Sequence, residues 1–162
     1  MIPDLTGMTP SKLFVLYRRI LAELRDRKIV RTENAPTGDY AEYLVAMALQ
    51  GRVADSTSEK GWDVELPDGT HLQVKCRVVS DAPKAGQLQL SPFRTFGFDE
   101  AVIVLLSDAD YSVRRAVRIP REQIEANSVF NEHVHGYIVH ARPQLLDLGV
   151  DVTKELRAAS AR

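Results

Sequence analysis

Between positions 61 and 78 the chain reads GWDVELPDGTHLQVKCRV, and three residues within it, Asp63, Gln73 and Lys75, have types and spacing that could act together. The stretch is two strand-like segments joined by Pro67-Asp68-Gly69. Proline suits the first position of a tight turn and glycine a left-handed one, as a three-residue hairpin loop requires. Such a loop pairs Leu66 with Thr70, Val64 with Leu72, Asp63 with Gln73 and Trp62 with Val74. The alternation then puts Trp62, Val64 and Leu66 on one face and Asp63 and Glu65 on the other. On the second strand Leu72, Val74, Cys76 and Val78 share a face, and His71, Gln73, Lys75 and Arg77 share the opposite one. A slip of one residue would set apolar against polar along the whole hairpin. The expected result is an acid and an amide side by side, with Cβ atoms roughly 5 Å apart, and a lysine on the diagonal.

A hard divalent cation takes oxygen ligands and keeps several waters, so one or two protein carboxylates suffice to hold it. A neighbouring ammonium can stabilise a phosphate or lower the pKa of an attacking water. Together these are the minimum for metal-assisted phosphodiester hydrolysis. Gln73 offers a carbonyl oxygen without a charge, which weakens such a site. The competing reading is plainer: Asp63 and Lys75 as an exposed cross-strand ion pair, worth under about 1 kcal/mol.

The hairpin needs a scaffold, and the remaining sequence supplies one. Residues 11–28 repeat Leu13, Leu16, Tyr17, Ile20, Leu21 and Leu24 at helical spacing, which predicts an amphipathic helix with that stripe buried, started by Thr9-Pro10-Ser11. Its polar side and exit carry Arg18, Arg19, Arg25, Arg27, Lys28 and Arg31 against Glu23 and Asp26, either a solvated face or a phosphate-binding patch. A second helix is expected over 39–50, stopped by Gly51. There Asp39 and Glu42 have the spacing of a capping box. The aliphatic run at 101–106 (AVIVLL) reads as a central strand covered on both faces. A strand over 111–119, a short helix over 120–128, a last strand over 136–140 and a helix over 151–159 capped by Asp151 complete the pattern. Residues 87–98 are ambiguous, with Ser91-Pro92 able to open a short helix. The expected architecture is a single α/β domain over 1–162, a mixed sheet of about four to five strands flanked by helices, with a helical segment 1–37 packed on it.

At this point the residues resemble a known group. An acid on one strand, a turn, then acid-x-Lys on the next, behind a helix bearing a glutamate, looks like the PD-(D/E)xK nuclease superfamily with its restriction-endonuclease-like fold. The elements that carry the resemblance are Glu42 in GDYAEYLVA, Asp63 in GWDVEL and Gln73-Val74-Lys75 in LQVKCR, over roughly 38–106. This chain has Gln where the motif usually has an acid, as do branches similar to the Mrr-type restriction enzymes, and no proline precedes Asp63. The resemblance implies a DNA endonuclease using Mg²⁺, with Mn²⁺ able to substitute. Asp63, Glu42 and Gln73 would be ligands, and Lys75 would activate the water. Glu65 and Asp39 are auxiliary candidates; Arg77 and Arg94 could reach phosphate or simply be solvated. Two other classes stay open: a nucleic-acid-binding module of the same fold that lost turnover through Gln73, and a scaffold or dimerisation subunit.

Other features narrow the field. The chain has 162 residues, 44% hydrophobic and 27% charged, with a formal charge of −1, so no global basic field marks a DNA coater. The single cysteine, Cys76, excludes an intrachain disulfide and a Cys-based zinc site, and its register places it in packing. His133, His135 and His140 could hold zinc only if they faced together, and a half-exposed strand entry explains them better. No signal peptide or membrane span is expected, so the reading is cytoplasmic, with a homodimer if both strands of a duplex are cut.

Overall fold

In a computed structural model of the chain, which describes residues 1–31, 36–55 and 61–161, the aliphatic run at 101–106 lies inside a six-stranded mixed sheet. The sheet comprises β1 (Arg52–Val53), β2 (Val64–Glu65), β3 (His71–Val79), β4 (Glu100–Ser107), β5 (Val113–Pro120) and β8 (Val150–Asp151), in that spatial order. β3 and β4 run parallel, and every other neighbouring pair is antiparallel. A separate hairpin joins β6 (Val129–Asn131) to β7 (Gly136–Ile138). The helices are α1 (Pro10–Asp26), α2 (Pro36–Leu49), α3 (Arg121–Ala126), α4 (Pro143–Leu146) and α5 (Thr153–Ser160).

β4 is apolar throughout its middle because both of its faces are covered. Val102, Val104 and Leu106 meet Leu44 and Val45 of α2 and Leu156 of α5. Ala101, Ile103 and Leu105 meet Leu90, Phe93, Phe98 and Ile124 on the other side. β3 differs: Leu72 and Val74 join the α2 face, while Lys75 and Arg77 look towards the loop that carries Leu90 and Phe93. That loop contains a single 3-10 turn, Ala85–Leu88, and Ser91-Pro92 opens no helix.

Several boundaries differ from expectation. The sheet has six strands because β1 and β8, two residues each, are too short to leave a periodic pattern. The strand expected at 136–140 pairs with β6 rather than joining the main sheet. Asp151 ends β8 instead of capping α5 as a helix residue, although its carboxylate still accepts the Thr153 amide at 2.8 Å. α1 begins where Thr9 and Pro10 indicate, yet only Leu21 of its stripe is buried; Leu13, Tyr17 and Ile20 are 36–49% exposed. Helical periodicity identifies a face that water disfavours, and here the chain's own core covers only its C-terminal part.

The exit of α2 sets where β2 can lie. Gln50, not glycine, takes the left-handed conformation at φ 56°, and the Gly51 amide closes onto the Ala46 carbonyl at 2.8 Å. This is the reciprocal C-cap in which the residue after the left-handed one bonds back to the last turn. Gly51 is needed for space: a Cβ there would sit 2.7 Å from Val64 Cγ1 and 3.0 Å from the Glu65 carbonyl. Gly51→Ala should therefore destabilise by about 1–3 kcal/mol through overpacking, while Gln50→Gly should stay within about 1 kcal/mol of wild type because it relieves left-handed strain. Urea unfolding of both variants checks this; equal effects would remove the distinction between conformation and space.

Candidate active site

The hairpin turn forms as its residues dictate. Gly69 has φ 87°, its amide reaches the Leu66 carbonyl at 2.9 Å, and the Leu66 amide meets the Thr70 carbonyl at 2.9 Å. Val64 faces Leu72. The Asp63 amide also donates to the Leu72 carbonyl at 2.8 Å, so two residues of this segment oppose one on β3, as in a β-bulge. The extra residue reverses the alternation beyond it. Trp62 consequently leaves the face of Val64, packs with Phe93 and Phe98 in the opposite cluster, and stacks on the His71 ring at 4.2 Å. The expected Trp62–Val74 pairing does not form for that reason.

At the bulge the Asp63 carboxylate turns onto the edge of β3. It accepts the Val74 amide at 2.7 Å and the Gln73 side-chain amide at 2.6 Å. Asp63 is 4% exposed and, with Ser107, one of two buried polar residues among those described. The exposed ion-pair reading is thereby overturned. Burial raises the Asp63 carboxyl above its ordinary range, opposed by the Val74 N–H and by the charges of Lys75 and Arg31.

Lys75 projects from the same face. Its ammonium donates to Ser91 Oγ at 3.2 Å and the Pro92 carbonyl at 3.0 Å, and lies 4.8 Å from the centre of the Phe93 ring. Burial pushes its pKa down; the Asp63 and Glu42 carboxylates oppose that, and Arg94 adds to it. Glu42 comes from α2. Its carboxyl is pushed up to about 7, first by burial, then by the Asp63 charge, with Arg31 opposing and Asp39 contributing. Asp63, Glu42, Lys75 and Gln73 therefore form one electrostatic neighbourhood.

The capping box does not form. α2 starts at Pro36, a residue suited to the first helical position, which places Asp39 inside the helix. Asp39 Oδ2 accepts the Arg31 amide at 2.8 Å, and Glu42 pairs with the Arg31 guanidinium. Arg31 also donates from Nη1 to the Ala54 carbonyl at 2.8 Å. Its place here left no motif in the sequence; the only signal was a basic residue directly after the apolar Ile29-Val30 anchor.

The other candidates are engaged elsewhere. Glu65 is held by Arg52 at 3.4 Å and His71 at 3.1 Å. Arg77 donates to the Gln87 carbonyl at 3.0 Å. Arg94 reaches the carbonyls of Val134 and His135, the latter at 3.1 Å. His133 and His135 lie in the β6–β7 turn, while His140 bridges to Gln89. Cys76 packs against the α2 core, and burial pushes its thiol up to about 12, so it is inert. Two carboxylates and an amide are the donor types a hard cation takes. Among the described residues, no group of three or more His, Cys, Asp or Glu is arranged to hold a metal, and no helix is long and apolar enough to cross a membrane. Compared with protein-family models and with curated proteins, the chain matches none of them.

The raised Glu42 carboxyl has a consequence for stability. The native state keeps this proton to higher pH than the unfolded chain does, so stability falls as pH rises from about 4.5 to about 7 and levels off above. The Glu42 share is on the order of 3 kcal/mol, and Asp63 adds in the same direction. In EDTA, wild type minus Glu42→Gln should show an unfolding free energy that declines across this window. A difference independent of pH would mean that Glu42 titrates as an ordinary surface acid.

Proposed function

We propose that the chain is a divalent-metal-dependent nuclease of the PD-(D/E)xK kind, with a restriction-endonuclease-like core, acting on DNA. The observation that carries this reading is the buried Asp63 carboxylate, set beside Glu42 and Lys75 by a bulge in the hairpin. Supporting it, the helix with Glu42, the hairpin with Asp63 and Gln73-Val74-Lys75, and the parallel core strand β4 follow one another in the order the resemblance implies. A hard cation fits the donor chemistry, since Asp63 and Glu42 are carboxylates whose mutual repulsion a dication would relieve. Mg²⁺ or Mn²⁺ bound there would polarise a phosphoryl oxygen and supply an activated water.

The protein's own groups prepare that chemistry. Asp63 is held rigidly by the Val74 amide, which fixes one carboxylate oxygen. Gln73 now offers its NH₂ to Asp63; a half-turn of the amide would present its carbonyl oxygen in the same place. Lys75 is anchored by Ser91 and Pro92, so its ammonium is aimed rather than free to roam. Its depressed pKa makes proton exchange with a water easier than for a surface lysine.

One observation favours a second reading, a nucleic-acid-binding module without turnover. Gln73 donates to Asp63 and Arg31 pairs with Glu42, so both carboxylates are already satisfied within the chain. Cleavage of supercoiled, linear and single-stranded DNA in Mg²⁺, Mn²⁺ or EDTA separates the two. We expect metal-dependent cleavage that falls by about 100-fold or more in Asp63→Ala and in Lys75→Ala, with both variants still folded by circular dichroism. Wild-type protein that binds DNA without cutting it in either metal would leave the binding module standing.

We further expect Mn²⁺ to outperform Mg²⁺ at limiting metal, because it binds mixed donors more tightly and is less strict in geometry. The reasoning rests on the neutral Gln73. Gln73→Glu should therefore narrow the gap between the two metals, and a gap of unchanged size would show that the amide is not a ligand.

A further inference from the structure

Resting on that reading of the metal site, we infer that Arg31 is a built-in counter-ion, standing in for the divalent cation and yielding its place when the metal binds. Three contacts fix Arg31 over the carboxylates. Its amide donates to Asp39 Oδ2 at 2.8 Å, Nη1 to the Ala54 carbonyl at 2.8 Å, and Nη2 to Glu42 Oε2. Val30, just before it, is 2% exposed and anchors the backbone, so the guanidinium is presented by a packed segment. Ala54 accepts Arg31 on one side and donates its amide to the Asp63 carbonyl at 2.8 Å on the other. Arg31 is thus tied to the elements that carry both acids.

The order of exposure indicates which group covers which. The Glu42 side chain is 13% exposed and that of Arg31 is 39% exposed, so Arg31 is the more open to solvent of the pair. A cation entering from water meets the guanidinium, and its charge opposes entry. Without a metal, the buried Asp63 carboxylate and the half-buried Glu42 carboxylate repel, and Arg31 supplies the positive charge that keeps them folded together. A guanidinium cannot be deprotonated near neutral pH, so its compensation persists throughout. Removing it leaves a pair of acids short of a cation, a site that should welcome a dication more strongly.

A merely structural staple predicts otherwise. If Arg31 only tied the exit of α1 to α2, its loss would lower stability and leave metal affinity alone. Calorimetric titration with Mn²⁺ alone, without DNA, compares wild type, Arg31→Lys and Arg31→Gln, alongside melting temperatures in EDTA and in Mn²⁺. We expect Arg31→Gln to melt lower in EDTA, bind Mn²⁺ tenfold or more tightly than wild type, and recover more melting temperature when Mn²⁺ is added. Arg31→Lys should fall between the two. Equal Mn²⁺ affinity in all three proteins overturns this inference while sparing the metal-site reading; no Mn²⁺ binding by any of them overturns both. Should Arg31→Gln fail to fold, the wild type still decides: saturating Mg²⁺ should shift the Arg31 side-chain ¹⁵N resonance, and a resonance that stays put counts against displacement.

Discussion

The burial of one carboxylate organises this molecule. Asp63 is 4% exposed, and an ionised acid at that depth is costly unless it is hydrogen-bonded and faced by positive charge. The bulge at Asp63 provides the hydrogen bonds, because it turns the carboxylate onto the open edge of β3, where the Val74 amide has no strand partner. The acid thus replaces a missing rung of the ladder. Positive charge comes from Lys75 on the same strand and Arg31 from beyond α1. β2 can be as short as two residues because the side chain of Asp63 continues what its backbone gives up.

Around that point the sheet divides its labour by face. The α2 side of β3 and β4 is aliphatic through its middle, with Cys76 packed at its margin, and carries the packing. The other side of β3 is polar, yet it is not simply wet: a loop lays Ser91, Pro92 and Phe93 over Lys75. Phe93, 1% exposed, belongs to the second core, so the position of the lysine is set by that core as much as by its own strand. A mutation in the Phe93–Phe98 cluster would reach the site through the loop without touching any charged residue.

How much of this could be read in the sequence follows from what each signal measures. The hairpin turn, the Asp63–Gln73 proximity, the outward Lys75 and the buried β4 were legible because turn residues and period-2 patterning are local. The bulge was not, since one inserted residue leaves the same letters in the same order; it kept Asp63 beside Gln73 and moved Trp62 to the opposite core. The start of α2 was misplaced because Asp39 and Glu42 have the spacing of a capping box, a pattern that Pro36 outcompetes. Arg31 was noted only as part of a basic run, and its meeting with Glu42 was illegible for another reason: residues from separate segments meet through tertiary folding, and an arginine after an apolar pair carries no periodic mark. The α1 stripe was real as a pattern, but amphipathicity says that a face is apolar and never what covers it.

Charge accounting then explains why Glu42 is the most perturbed acid of the group. Around Glu42 itself, Asp63 and Asp39 add negative charge and the Arg31 guanidinium opposes them. Burial makes that imbalance expensive, and the cheapest correction is a proton on one carboxyl. Asp63 is poorly placed to take it, because two N–H groups point at one of its oxygens and favour the ionised form. Glu42, paired with the Arg31 guanidinium, holds a proton more readily, with its pKa pushed up to about 7 first by burial and then by the Asp63 charge. Near neutral pH the Glu42 carboxyl is therefore divided between its protonated and ionised forms. A dication entering such a cluster would supply the charge that the proton now provides and add one more, which is the physical reason that proton release, metal binding and the hold of Arg31 on Glu42 should move together.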